Sequence, residues 1–149
     1  MNQLIKTTSD NPDFHFLVAQ LDAHLAGIYG EEQAFFTQHN KVDAIKHVVV
    51  VYRDGKPVGC GGIKAYSSSE MEIKRMFVQP EQRGQGIASE ILTVLENWAK
   101  EMGFTETILE TLVVKESVIA MYARNGYVLV PNYGQYIGVD SSVCMRKSL

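Results

Sequence analysis

Residues 76–92, MFVQPEQRGQGIASEIL, join a strand to a helix through a loop carrying Gly84 and Gly86 behind Arg83. The hydrophobic pattern switches across this junction from strand-like in MEIKRMFV (71–78) to helical over about 85–102. Ile87, Ile91, Leu95, Trp98 and Met102 mark one helix face. Gly103 ends that helix, and TETILETLV (105–113) reads as the next strand. Strand, helix and strand in this order make a right-handed crossover, so the two strands are expected to run parallel.

The remaining elements fit around this unit. Phe14, Leu17, Val18, Leu21, Leu25 and Ile28 recur at helical spacing, predicting a helix over 12–29 with Pro12 near its start and Gly30 as its stop. EEQAFFTQH predicts a second helix over 31–39, with acidic residues in its first turn. KHVVVVYR (46–53) and KPVGCGGIKAY (56–66) are strands joined by Asp54-Gly55, a hairpin turn signal. Gly59, Gly61 and Gly62 mark a bulge or a close backbone approach in the second of these strands. SSSE (67–70) turns the chain into 71–78, completing an antiparallel meander. After the crossover come a helix over 116–124 stopped at Asn125-Gly126, a strand over 127–131 and a last strand over 142–147. The expected fold is mixed α/β, a meander followed by a βαβ crossover, in one domain over 1–149 with its core over 3–147.

The formal net charge is −3 and no Lys/Arg block stands out, which argues against nucleic acid as the main partner. The N-terminal MNQLIKTTSDNPDFHF lacks a signal-peptide pattern, and no apolar run reaches the ~20 residues that span a bilayer. Cys60 and Cys144 lie in apolar surroundings and read as buried thiols, with no Cys/His spacing of zinc type. A cytoplasmic, metal-free protein without a membrane partner is expected. His15, His24, His39 and His47 are scattered and read as surface or helix-face residues.

A loop that feeds a helix N-terminus presents unpaired N–H groups and the positive end of a dipole, so it suits an anion. Glycines let a phosphate approach the backbone, and Arg83 adds positive charge. Ile87-Ala88 follows Gly86 where a nucleoside-triphosphate loop needs Lys-Ser/Thr. A dinucleotide fingerprint needs glycines directly after the strand, but Gln79 to Arg83 intervene, and only one βαβ unit is present; Glu110 would be its acidic residue.

RGQGIA (Arg83 to Ala88) resembles the Q/R-x-x-G-x-G/A pyrophosphate loop of the GNAT superfamily of N-acetyltransferases. EIKRMFVQPEQRGQGIA resembles that family's fourth strand and loop, ESVIAMYARNGY its later helix, and GKPVGCGGIK the hairpin before the strand. The element order agrees over about residues 3–147.

The resemblance implies an acetyl-CoA-dependent N-acetyltransferase, in which an amine of a small molecule, peptide or protein attacks the thioester directly. A binding module that holds acyl-CoA without chemistry is the alternative. The CoA pyrophosphate would lie on the amides of Gly84, Gln85, Gly86, Ile87, Ala88 and Ser89. Pantetheine would bond the backbone near Met76 and Val78, and the Met76 or Phe77 N–H would face the developing oxyanion. In this family the two parallel strands separate beyond that point.

Tyr122 matches the helix tyrosine that points at the CoA sulfur and is the candidate acid; packing in the core is its other role. Glu72 matches a glutamate that serves some members as base, although strand alternation puts Lys74 on its face, a setting that works against a base. Glu110 is its rival. Lys115 stands seven residues before Tyr122, where many members have Asn, and would reach a CoA phosphate or carbonyl or lose that contact. Tyr133 and Tyr136, in PNYGQYIGVDSS, are candidates to line the acceptor pocket or to anchor a surface turn. Strand edges at the C-terminal end could pair two copies as a homodimer.

Overall fold

The computed structural model describes residues 2–29 and 45–149. The elements are β1 (Asn2–Thr7), α1 (Pro12–Tyr29), β2 (His47–Arg53), β3 (Lys56–Ala65), β4 (Glu70–Val78), α2 (Ile87–Glu101), β5 (Glu106–Leu112), α3 (Glu116–Arg124), β6 (Val128–Val130) and β7 (Ser142–Ser148). The helix expected over 31–39, Gly30 and His39 lie outside the described residues. The sheet order is β1-β2-β3-β4-β5-β7-β6. β4 and β5 run parallel, as the crossover requires, while β1/β2, β2/β3, β5/β7 and β6/β7 are antiparallel. Among the described residues, no helix is long and apolar enough to cross a membrane.

The chain divides into two compact units, and the division falls at the last residue of β3, within β4 and within α2. The first comprises Met1–Lys64 and Lys74–Leu95. Its helix α1 starts where Asn11 Oδ1 accepts the amides of Asp13 (2.8 Å) and Phe14 (3.1 Å), an N-cap immediately ahead of Pro12. Phe14, Leu17, Val18, Leu21 and Leu25 are buried as the periodicity predicts, but Ile28 is exposed. Val48 to Val51 are all fully buried, so β2 is covered on both faces, while β1 and β3 pair with its two edges. Strand β1 is an addition to the expected elements, and it pairs with β2 from Asn2↔Arg53 to Thr7↔Val48. Gly61 is a close-approach site: a Cβ there would lie 2.9 Å from Ile91 Cγ2 on α2.

The second unit comprises Ala65–Ile73 and Glu96–Leu149. β5 pairs with β7 along its whole length, from Glu106↔Ser148 to Leu112↔Ser142. Glu96, on the last turns of α2, is buried yet doubly satisfied. It accepts the Tyr127 hydroxyl (2.9 Å) and Lys147 Nζ (2.8 Å). A buried carboxylate needs such partners, since an unpaired one costs several kcal/mol, on the order of 3–5. Along α2 as a whole, Leu92 and Ala99 are buried in place of Trp98, which is half-buried, and Met102, which is exposed beyond its C-terminus.

Candidate active site

The glycine loop belongs to the first unit. A single 3-10 turn, Pro80–Gln82, follows β4, and Gln79 N–H is held by Val58 O of β3 at 2.9 Å. Gly84 and Gly86 both adopt left-handed backbone, φ +78° and +80°. That geometry favours glycine, and nothing lies within 4 Å of where either Cβ would be. The bond from Glu90 N–H to Gly86 O, 3.1 Å, closes the first helical turn. The amides ahead of it therefore lie at the helix end, where an anion is favoured. The Ile87 side chain is buried against β3. Ala88 and Ser89 are half-buried.

Two arginines organise this loop. Arg83 Nε donates to Val78 O (2.9 Å), with its guanidinium 5.9 Å from the centre of the Phe77 ring. Arg53, at the end of β2, has no sequence signal for this role. Its Nη1 donates to Gln82 Oε1 (3.0 Å) and to Gln85 Oε1, while its Nε donates to Asn2 Oδ1 (2.9 Å). Asn2 Nδ2 in turn donates to Glu90 Oε1 (2.9 Å), so β1, β2, the loop and α2 are tied together.

β4 is regular to Lys74 and then breaks. Arg75 has φ +57°, an outlier for a bulky residue. The β4/β5 pairing runs from Glu70↔Glu106 to Glu72↔Ile108, so it ends ahead of Met76 and Val78, beyond which the family resemblance implies separation. Glu72 and Lys74 are both buried, as is Phe77, whereas Met76 is half-buried.

The second unit holds the titratable cluster. Tyr133 Oη donates to Glu72 Oε2 at 2.6 Å. Burial first, and then the Glu72 charge, push the Tyr133 phenol well above its ordinary range, so it stays a donor. Its ring meets Tyr66 edge-on at 4.9 Å and Tyr136 at 5.7 Å. The surrounding loop is knotted by Asn132 Nδ2, which reaches the carbonyls of Tyr136 (3.0 Å), Ser142 (3.1 Å) and Val139 (3.2 Å). Gly134, φ +51°, is required here, because a Cβ would come within 2.8 Å of Tyr66 Oη.

Glu110 accepts the Ser142 hydroxyl at 2.6 Å and sits in register with Cys144. The Cys144 thiol is pushed up to about 11, mainly by burial, with Glu110 and Glu72 adding to the shift and a backbone hydrogen bond opposing it. Tyr122 is buried, its ring edge-on to Tyr127 at 5.6 Å. Desolvation and then Glu110 raise its phenol, so it is protonated at neutral pH. Tyr127 is fixed by Thr107 (2.8 Å) and Glu96 (2.9 Å), so Tyr122 packs on an anchored ring. Lys115 occupies the N-cap position of α3, and its carbonyl accepts Ile119 N–H at 3.0 Å. The two units thus contain the expected loop and the expected carboxylates and phenols. Arg53, Asn132 and Glu96 are additions to them. His15 and His24 are exposed and His47 is half-buried.

Residues 13–127 match the pattern of the acetyltransferase (GNAT) family. An IAA acetyltransferase of Azospirillum brasilense is 32% identical over 135 residues, covering 89% of this chain and 88% of the relative. The uncharacterized N-acetyltransferase YjgM of Escherichia coli (strain K12) is 29% identical over 81% of this chain and 78% of its own length. A Klebsiella pneumoniae crystal structure, of a protein named for acyl-CoA N-acyltransferase activity, superposes with a TM-score of 0.83. It is 27% identical and is covered over 98% of its length by 100% of this chain. The fold also matches an acetyl-CoA-bound GNAT structure from Elizabethkingia anophelis, with a TM-score of 0.74, 14% identity and coverage of 99% and 98%. With the glycine loop and the strand-to-helix junction in place, the chain belongs to the acetyltransferase (GNAT) family and is an acetyl-CoA-dependent N-acetyltransferase.

Proposed function

We propose that residues 1–149 act as one catalytic domain that transfers the acetyl group to a primary amine of a small molecule or peptide, with Glu72 as base and Tyr122 as acid. The observation that carries the cosubstrate half of this reading is the loop itself. Two left-handed glycines stand ahead of a helix start, with Arg83 immediately before them and Arg53 bracing the loop. The amides of Gly84 to Ser89 take the CoA pyrophosphate. The Val78 carbonyl already accepts Arg83, so pantetheine pairs with the groups around Met76 and Phe77 and with the Val78 amide. Lys115 is placed at a helix start and serves as a CoA contact.

The chemistry follows from what an amine needs. Its nitrogen attacks the thioester carbon only when neutral, so a carboxylate or a water held by it must take the proton. The tetrahedral oxyanion is met by the Met76 or Phe77 N–H. As the C–S bond breaks, the thiolate takes the Tyr122 proton, and solvent restores it after CoA leaves. Glu72 is favoured over Glu110 as base, because it is buried and oriented by the Tyr133 hydroxyl, whereas Glu110 is half-buried. Free, buried Cys60 and Cys144 support a reducing, cytoplasmic setting.

The test is release of CoA thiol from acetyl-CoA with a panel of amines, comparing wild type with Glu72→Gln. Amine-dependent release that falls about 10²–10⁴-fold in the variant is expected for a base. Acetyl-CoA binding without release for any amine would instead favour a sensor.

A further inference from the structure

Arg75 combines three unusual features. It is a bulky residue in left-handed backbone, φ +57°, in the middle of β4. Its side chain is 4% exposed, so a full positive charge is buried. Its Nε is also a buried donor with no hydrogen-bond partner. Native proteins rarely leave a buried donor unpaired, and outliers of backbone and hydrogen bonding concentrate at functional sites.

The geometry of the guanidinium says what is missing. Nε–H and one Nη2–H lie side by side on one edge of the plane, a fork matched to the two oxygens of a carboxylate. Asp22 Oδ1 of α1 meets Nη2 alone. Half of the fork is therefore filled, and the buried half has no partner. Asp22 is a replaceable occupant, since its side chain is 59% exposed and gives up little by turning to water. The arginine itself is pinned from the other side, because Cys60 Sγ donates to the Arg75 carbonyl at 3.5 Å within the core.

We propose that Arg75 is the receptor for a carboxylate on the acyl acceptor, with Asp22 holding the site until that carboxylate arrives. The acceptor is then an amine that also carries a carboxylate, of amino-acid type. This rests on the acetyltransferase reading, and it narrows the amine class. Its position fits an acceptor, since Arg75 directly precedes Met76, whose N–H, or that of Phe77, the proposed reaction sets against the oxyanion.

The test reads Arg75 directly, without turnover. The Arg75 Nε–H cross-peak of the full chain, assigned by its loss in Arg75→Lys, is followed by ¹⁵N NMR during titration with acetate, glycine, methylamine and chloride. Acetate and glycine should shift it saturably, while methylamine and chloride leave it in place. In Asp22→Asn the acetate midpoint should fall about tenfold, as expected when one competing charge-assisted hydrogen bond is removed. A cross-peak unmoved by acetate in both proteins overturns the proposal, as does a midpoint that Asp22→Asn leaves unchanged. Calorimetry with acetyl-CoA on the same samples separates the two readings. Tight acetyl-CoA binding with an unmoved cross-peak removes the carboxylate receptor alone. A titrating cross-peak without acetyl-CoA binding removes the acceptor role.

Discussion

Tyr133 donates its phenolic hydrogen to Glu72 Oε2 over 2.6 Å, linking two residues 61 positions apart. The bond positions the carboxylate that is proposed to take the substrate proton. Hydrogen bonds to charged groups contribute about 1.5–3 kcal/mol, which corresponds to roughly 10–100-fold in kcat/KM. Tyr133→Phe should therefore lower kcat/KM within that range and leave the acetyl-CoA Kd unchanged. Steady-state kinetics beside calorimetry would check both, and full activity in the variant would detach Tyr133 from the chemistry.

Tyr122 presents a buried phenol on a ring anchored through Tyr127. Tyr122→Phe keeps the packing and removes the proton. The expected outcome is a kcat loss of about 10²-fold or more, with thermal stability and acetyl-CoA affinity retained. Loss of stability with unchanged kcat would identify Tyr122 as a core residue.

Arg53 braces the glycine loop through Gln82 and Gln85. Arg53→Met should weaken CoA binding by about tenfold, because the loop must then be ordered by the ligand. The kcat at saturating acetyl-CoA should hold. Unchanged CoA affinity, measured by calorimetry, would show that the loop is shaped without this contact.

Buried acids that keep their protons set an alkaline limit on stability. Cys60 is pushed up to about 12 by burial, with Arg75 opposing, and Cys144 to about 11. Burial also raises the phenols of Tyr122, Tyr127 and Tyr133. Each folded-state pKa lies above its unfolded value, so the unfolded chain loses these protons first. Their contribution is full below the ordinary thiol value of 9.0 and declines as pH rises toward 11 and 12. The phenols add to the decline above their ordinary value of 10.0. Denaturant midpoints should be flat from about pH 7 to pH 8.5 and fall steadily above that. Cys144→Ala should flatten the early part of the fall, and an unchanged slope would contradict the assignment.

What the sequence discloses follows the range of the forces involved. Local signals were sufficient for β2 to β7, for α1 to α3 and for the parallel β4/β5 pair, because periodicity and turn residues act over a few positions. β1 escaped because Asn2, Gln3 and Lys6 dilute a six-residue edge strand, which owes its place to pairing with β2. Arg75 could not be foreseen in left-handed backbone, since nothing in its residue type favours that conformation.

Of the candidate site, the glycine loop could be read directly because it is contiguous, and the candidate acid and base come from a family pattern. The supporting contacts could not be read in either way. Arg53 reaches Gln82 and Gln85, Asn132 gathers three carbonyls, and Glu96 joins Tyr127 to Lys147, all across the tertiary fold. Tyr133 and Tyr136 pack on one another and Tyr133 also on Tyr66; Tyr136 is fully buried where a surface turn was one expectation, and Tyr133 reaches Glu72.

The most direct test of the central claim is calorimetric titration of acetyl-CoA into wild type, Gly86→Ala and Gly86→Glu. Alanine strains the left-handed backbone at φ +80°, while glutamate adds to that strain a carboxylate at the proposed pyrophosphate site. The account predicts micromolar-range binding in wild type, on the order of −8 kcal/mol, weaker binding in the alanine variant and none in the glutamate variant. Equal binding by folded wild type and Gly86→Glu, or no binding by wild type, would contradict it.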